Sequence, residues 1–204
     1  NVTFTIEKGD IFGIIGFSGA GKSTLLRMIN ALEMPTTGYV EIDGVNINSL
    51  SFNELRKIRK RIGMVFQQFN LFNNLSVLDN CVIGQMKVLK KSREEAEKTA
   101  KELLAKVGME RFIHAKPAQI SGGQKQRLSI ARALVGKPEI LILDDSSSAL
   151  DYATDLALRK GINALEYKPT VFIVSQRTSS IMQADKIVVL DDGVLVGLGK
   201  HENL

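Results

Sequence analysis

The sequence predicts an α/β fold: a mostly parallel sheet with helices on both faces, an antiparallel β edge and a helical subdomain. Three observations carry that expectation. Short apolar runs rich in β-branched residues alternate with helical patterns, which implies a sheet covered on both faces. A Gly-rich stretch, Gly16-Phe17-Ser18-Gly19-Ala20-Gly21-Lys22-Ser23, lies between one such run, Asp10 to Ile15, and the helical start Thr24 to Ile29. Composition changes after Gln68, and residues 69–133 read as a helical insert, leaving 1–68 and 134–204 as the α/β core.

In chain order, residues 2–6 alternate like a strand, so the chain opens in mid-structure and reads as a piece of a longer protein. The helix from Lys22 ends near Asn30 to Leu32, and Pro35 to Gly38 breaks the chain. Tyr39 to Ile42 alternates like an edge strand before the turn signal Asp43-Gly44. Ser51 with Glu54, and Ser92 with Glu95, have capping-box spacing and open helices. The second helix carries Ala96, Ala100, Leu103, Leu104 and Val107 on one apolar face, with Gly108 as its C-terminal cap. Ile62 to Phe66 reads as a buried strand, and residues 69–91 read as irregular. Glu139 to Asp145 and Thr170 to Gln176 are apolar strands ending in polar groups, and Asp191-Asp192-Gly193 joins a hairpin.

Composition sets outer limits. The 204 residues suffice for one large domain or a core with a small subdomain. A net charge of +5 is mild and reads as a solvated surface; with no Trp and three Tyr, no basic patch with interleaved aromatics points to nucleic acid. The lone Cys81 rules out an internal disulfide framework and reads as a small buried apolar residue. No apolar run approaches the roughly 18 residues of a membrane helix.

The Gly-rich stretch fits the G-x-x-x-x-G-K-[ST] phosphate-binding pattern. A strand, a turn and a helix N-terminus make an anion site physically, because backbone N–H groups and the helix dipole both point at the ligand. Lys22 then reaches the β- and γ-phosphates, and the Ser23 hydroxyl binds Mg²⁺. In open α/β sheets ligands sit beyond the carboxyl ends of strands. Four expected strands end in such groups: the phosphate loop, Gln67, Asp144-Asp145 and Ser175-Gln176. Asp144 suits a metal role, Asp145 the orientation of attacking water, and Gln67 a contact to Mg²⁺ or to that water. Together they point to a nucleoside triphosphatase. Ser121-Gly122-Gly123-Gln124 is a second anion-binding cap; taken alone it is an ordinary helix cap.

The full set resembles the nucleotide-binding domain of ATP-binding cassette (ABC) transporters over nearly the whole chain. Gly16 to Ser23 resembles Walker A, Gln67 the Q-loop glutamine, and Ile120 to Gln124 the signature sequence, with Ile in place of the usual Leu. Ile140 to Asp144 resembles Walker B, and Ser148 to Asp151 the D-loop. The resemblance implies a RecA-like P-loop NTPase fold and ATP with Mg²⁺ as cofactors. Gly16, Ser18, Gly19, Ala20, Gly21, Lys22, Ser23 and Thr24 would bind one nucleotide, and Ser121 to Gln124 would close over that of a second such domain, head to tail. It further implies a membrane permease as partner, with the chain on the cytoplasmic side of the membrane.

The sequence departs from that pattern in three places. Asp145 stands where the family usually has a catalytic Glu, and Gln176 where it usually has a switch His. Displacing a catalytic group by about 1 Å can cost on the order of 10²-fold in rate, and Gln cannot relay a proton as His can. Hydrolysis is therefore expected to be slow. The family's adenine-stacking aromatic lies upstream of the first strands seen here. The second half, Asp144 to Asp151 and Val174 to Arg177, resembles exporter domains with a degenerate site. Phe66 to Phe72 and the helix from Ser92 resemble amino-acid importer ATPases. That mosaic raises the expectation of a recombined chain joined near residues 121–135.

Overall fold

The computed structural model describes residues 2–144, 152–175 and 178–204. Strand β1 (Ile11–Gly16) runs directly into the Gly-rich turn and helix α1 (Lys22–Ile29). A small hairpin of β2 (Glu41–Ile42) and β3 (Val45–Asn46) leads to α2 (Phe52–Arg59) and β4 (Ile62–Val65). Three helices follow: α3 (Val77–Lys87), α4 (Arg93–Lys106) and α5 (Gly122–Leu134). The chain then alternates again through β5 (Ile140–Asp144), α6 (Tyr152–Asn163), β6 (Thr170–Val174), β7 (Lys186–Asp191) and β8 (Val194–Gly199).

Six strands form one sheet in the order β4-β5-β6-β1-β7-β8. All neighbours are parallel except the β7–β8 hairpin at one edge. Because side chains alternate across a strand, each central strand feeds two cores. Leu141 and Leu143 pack with Val171, Ile173, Ile130 and Leu134 on the face covered by α5 and α6. Ile142 packs with Phe12, Ile14, Phe172 and Leu26 on the face covered by α1. This double burial explains why β5 and β6 read as continuous apolar runs.

The helices follow their caps. Ser51 with Glu54 and Ser92 with Glu95 each form the full capping box. Ala96, Ala100 and Leu104 are buried on one face of α4, with Leu103 and Val107 packed partly buried against the same cluster. Gly108, at φ +66°, follows the last turn and donates its N–H to Ala105 O at 2.9 Å. α3, α4 and α5 share an apolar cluster of their own, including Val77, Cys81, Leu104, Met109, Ile120 and Leu128. Burial pushes the Cys81 thiol up to about 12, so it packs as an apolar group.

Two expectations are corrected. Residues 69–91 are not irregular throughout, because α3 occupies Val77–Lys87. The Ser76 hydroxyl caps it by accepting from the Asp79 N–H, and Val77, Leu78, Cys81 and Val82 form its buried stripe. That stripe is short and rich in β-branched residues, which weakens its helical signature. Residues 2–6 form no strand, since among the described residues no ladder partner meets them. Val2, Phe4 and Ile6 nevertheless alternate inward against the α1-side core, with Phe4 stacked on Phe12 at a centroid distance of 4.9 Å. The period of two reports burial here, not pairing. The hairpin at 41–46 is a separate two-stranded sheet, and the antiparallel edge of the main sheet is β8.

Candidate functional site

The carboxyl ends of β4, β5, β6 and β1 lie along one edge of the sheet. The register aligns Val65 with Leu143, Asp144 with Val174, and Val174 with Ile14. Gln67 follows β4, Asp144 ends β5, Ser175 follows β6, and the Gly-rich loop leaves β1, so parallel pairing brings four distant segments to one line.

The loop's backbone explains its glycines. Gly19 and Gly21 sit at φ +85° and +88°, left-handed values that side-chain-bearing residues rarely adopt. Gly16 is required for a different reason: a Cβ built there would lie 2.3 Å from Leu190 O on the neighbouring β7. The loop is braced from the same side, where Gly193 of the β7–β8 turn donates its N–H to Ala20 O at 3.3 Å. Ala20 is buried, while Phe17, Ser18 and Gly19 are exposed; Phe17 is 82% exposed.

Two side chains at the start of α1 define the site. Lys22 Nζ donates to Gly16 O at 2.8 Å and to Phe17 O at 2.7 Å, so its ammonium spans the mouth of the loop. The Ser23 hydroxyl donates to Asp144 Oδ1 at 2.9 Å across 121 residues of sequence. Asp144 is only 3% exposed. A hydroxyl and a buried carboxylate at this separation are hard oxygen donors of the kind Mg²⁺ takes, few in number and completed by phosphate oxygens and water. The residues present therefore fit Mg²⁺. Thr24 is exposed in the first turn of α1.

Gln67 is exposed in the turn after β4, and Ser175 is buried after β6. Ser121 forms the capping box of α5: its hydroxyl accepts from the Gln124 N–H at 3.3 Å, and Gln124 Oε1 accepts from the Ser121 N–H at 2.8 Å. Ser121 and Gly122 are exposed, and among the described residues no hydrogen bond links this cap to the β1–α1 loop. Ile120, in place of the usual Leu, is buried in the helical cluster. Asp145, the Ser148–Asp151 run and Gln176 lie outside the described residues. Both histidines, His114 and His201, are exposed. Sequence reasoning missed Ser129 and Arg132 of α5, whose side chains reach the turn beyond Gln67. Their only sequence signal was helical spacing from the Ser121 cap.

A model of the ABC transporter family matches residues 1–148. The chain belongs to the ABC transporter family. It is 47% identical over 204 residues to methionine import ATP-binding protein MetN 1 of Bacillus thuringiensis subsp. konkukian, covering 98% of this chain and 60% of that protein. It is 45% identical over 203 residues to MetN of Bifidobacterium longum, covering 50% of that protein. The chain thus spans 60% or less of the length of these curated relatives. Among solved structures, it is similar to the dimeric post-hydrolysis state of the ATP-binding cassette MJ0796 bound to ADP and Pi, at 40% identity and a TM-score of 0.90 over 98% of this chain and 89% of that one. A second dimeric structure of MJ0796, a bacterial ABC transporter cassette, has a TM-score of 0.91. One importer-type relative spans nearly the whole chain, and neither an exporter-like half nor a join is shown.

The contact at Gly16 leads to a test. Gly16→Ala forces β1 away from β7 and should lower stability by about 1–3 kcal/mol, the usual cost of overpacking. The loss should appear as a lower denaturation midpoint with an unchanged slope. A midpoint equal to that of the parent chain contradicts the contact.

Proposed function

We propose that this ABC chain binds Mg-ATP at the β1–α1 loop and hydrolyses it slowly, as the cassette that powers a membrane permease. The observation that carries the reading is the Ser23–Asp144 hydrogen bond beside the Lys22 ammonium, two metal-type oxygens next to a phosphate-type cradle. Backbone N–H groups from Gly16 through Ser23, with Ser18 and Thr24 at the loop's outer side, hold the phosphates, and Lys22 exchanges its two carbonyl partners for β- and γ-phosphate oxygens. Ser23, Asp144 and Gln67 hold Mg²⁺. When bound, the metal would supply positive charge to offset that of the phosphate oxygens. Asp145 orients the attacking water, and Gln176 hydrogen-bonds the γ-phosphate.

The exposed cap Ser121-Gly122-Gly123-Gln124 suits a role in trans. Among the described residues this helix N-terminus, capped by its own Ser121 and Gln124, makes no hydrogen bond to its own phosphate loop, and its exposed Ser121–Gly122 end is available to the nucleotide of a second cassette. The dimeric state of the similar MJ0796 structures supports a pair of cassettes, and the exposed Ser121 cap suits a head-to-tail arrangement of the two. On this reading residues 69–133 form the helical subdomain, and 1–68 with 134–204 form the nucleotide-binding core. The printed function of the relatives, methionine import, favours an importer cassette docked on the cytoplasmic face of a permease that carries an amino acid. Among the described residues no helix is long and apolar enough to cross a membrane. A second reading, a cassette that holds ATP with little turnover, draws on Asp145 and Gln176 standing where the family usually has Glu and His.

Lys22→Ala should raise the Kd for Mg-ATP about 10- to 100-fold, the loss of charge-assisted bonds to phosphate. Calorimetric titration measures it, and an unchanged affinity contradicts the assignment. The double change Asp145→Glu with Gln176→His should raise single-turnover hydrolysis about tenfold or more. An equal or lower rate shows that these two positions do not limit turnover.

A further inference from the structure

The turn that follows Gln67 is held by a side chain from another element. Phe69 and Asn70 both adopt left-handed backbone, at φ +62° and +46°, which is unfavourable for Phe in particular. Local bonds close the turn, with the Phe69 N–H on Phe66 O at 3.0 Å and the Asn70 N–H on Gln68 O at 2.7 Å. The outward carbonyls are taken by α5. Arg132 Nη1 donates to Asn70 O at 2.6 Å and Nη2 to Phe69 O at 2.7 Å, and the Ser129 hydroxyl donates to Phe69 O at 3.3 Å.

The chemistry of that contact is unusual for a surface arginine. The guanidinium is largely withdrawn from water, which disfavours its charge, and among the described residues no carboxylate pairs with it. Two main-chain carbonyls stand in for a counter-ion. A planar fork with two parallel donors fits two successive carbonyls, a geometry that a lysine ammonium does not reproduce. The other end of α5 is the exposed Ser121 cap, and its last turn packs on β4, whose Gly63 lacks room for a Cβ against Ala133 O at 2.8 Å. Gln67 is therefore suspended between β4 and a turn that is fastened to the same helix.

We infer that Arg132 is a positioning residue for the phosphate site: by fastening the Phe69–Asn70 turn to α5 it fixes where Gln67 stands, and it couples Gln67 to the helix that begins at the Ser121 cap. The inference rests on the proposed role of Gln67 at the metal and water. Arg132 touches neither, so its effect must pass through Gln67.

The test is a double-mutant cycle in the full chain, with single-turnover ATP hydrolysis, calorimetric Mg-ATP affinity and amide hydrogen exchange as readouts. Arg132→Met should slow hydrolysis about tenfold while changing the Mg-ATP Kd less than about threefold, and should raise exchange in residues 67–71. Arg132→Lys should fall between the two. In a Gln67→Ala background, Arg132→Met should change the rate less than about twofold, because the group it positions is gone. If the two losses multiply, or if Arg132→Met leaves rate and exchange unchanged while Gln67→Ala is slow, the inference is overturned and the role of Gln67 stands. If Gln67→Ala is as fast as the parent chain, the role of Gln67 itself fails. Should Arg132→Met not fold, Arg132→Lys, which keeps a charged donor, and Ser129→Ala, which removes a single hydroxyl donor, carry the same cycle with the same outcomes.

Discussion

The hydrogen bond from Ser23 to Asp144 is the contact around which the rest is arranged. It joins the first turn of α1 to the end of β5, two segments 121 residues apart. The strand that leads into α1, β1, does not pair with β5, since β6 lies between them. The separation of the two side chains is therefore set by three parallel strands in register, Ile14 with Val174 and Val174 with Asp144. Apolar packing on both faces of the sheet holds that register, because a one-residue slip would turn Ile142 and Phe172 toward the wrong core. A metal-type donor pair thus comes from hydrophobic burial acting at a distance.

Loops at both ends of the strands are secured by arginines as well as by glycines. Arg132 fastens the turn after β4, and Arg59 does the same for the end of α1. Its Nε donates to Asn30 O at 2.9 Å and its Nη2 to Ala31 O at 2.7 Å, where Ala31 turns left-handed at φ +55°. Charge-assisted bonds to carbonyls at a helix C-terminus also complement the helix dipole. Two residues on, Arg61 bridges Glu139 and Asp43 and ties the starts of β4 and β5 to the small hairpin. Its hydrogen bonds hold the Glu139 carboxyl below the usual range. That contribution is therefore present near neutral pH and is lost as pH falls below the ordinary carboxylate range.

Much of this was legible from residues alone, for identifiable reasons. The strand–loop–helix at Gly16 to Ser23 is local, and its residue types are dictated by backbone approach and dipole. The runs at 140–144 and 170–174 are apolar because both faces are buried. Capping boxes at Ser51, Ser92 and Ser121 are encoded within four residues. What escaped depends on long-range packing. α3 carries a cap at Ser76, but its stripe is short and β-branched. Val2 to Ile6 has strand periodicity without a ladder partner among the described residues. The need for Gly16 to lack a Cβ arises from Leu190, and the role of Arg132 from a turn some 60 residues earlier. Neither is visible in a local window.

A structure of the chain with Mg-ATP tests the central claim most directly. The account predicts the triphosphate within the β1–α1 loop, with Lys22 Nζ moved from the Gly16 and Phe17 carbonyls onto phosphate oxygens, and with the metal between the Ser23 hydroxyl and the Asp144 side. Nucleotide bound elsewhere, with Lys22 still on its own loop carbonyls and the Ser23–Asp144 bond undisturbed, would contradict it.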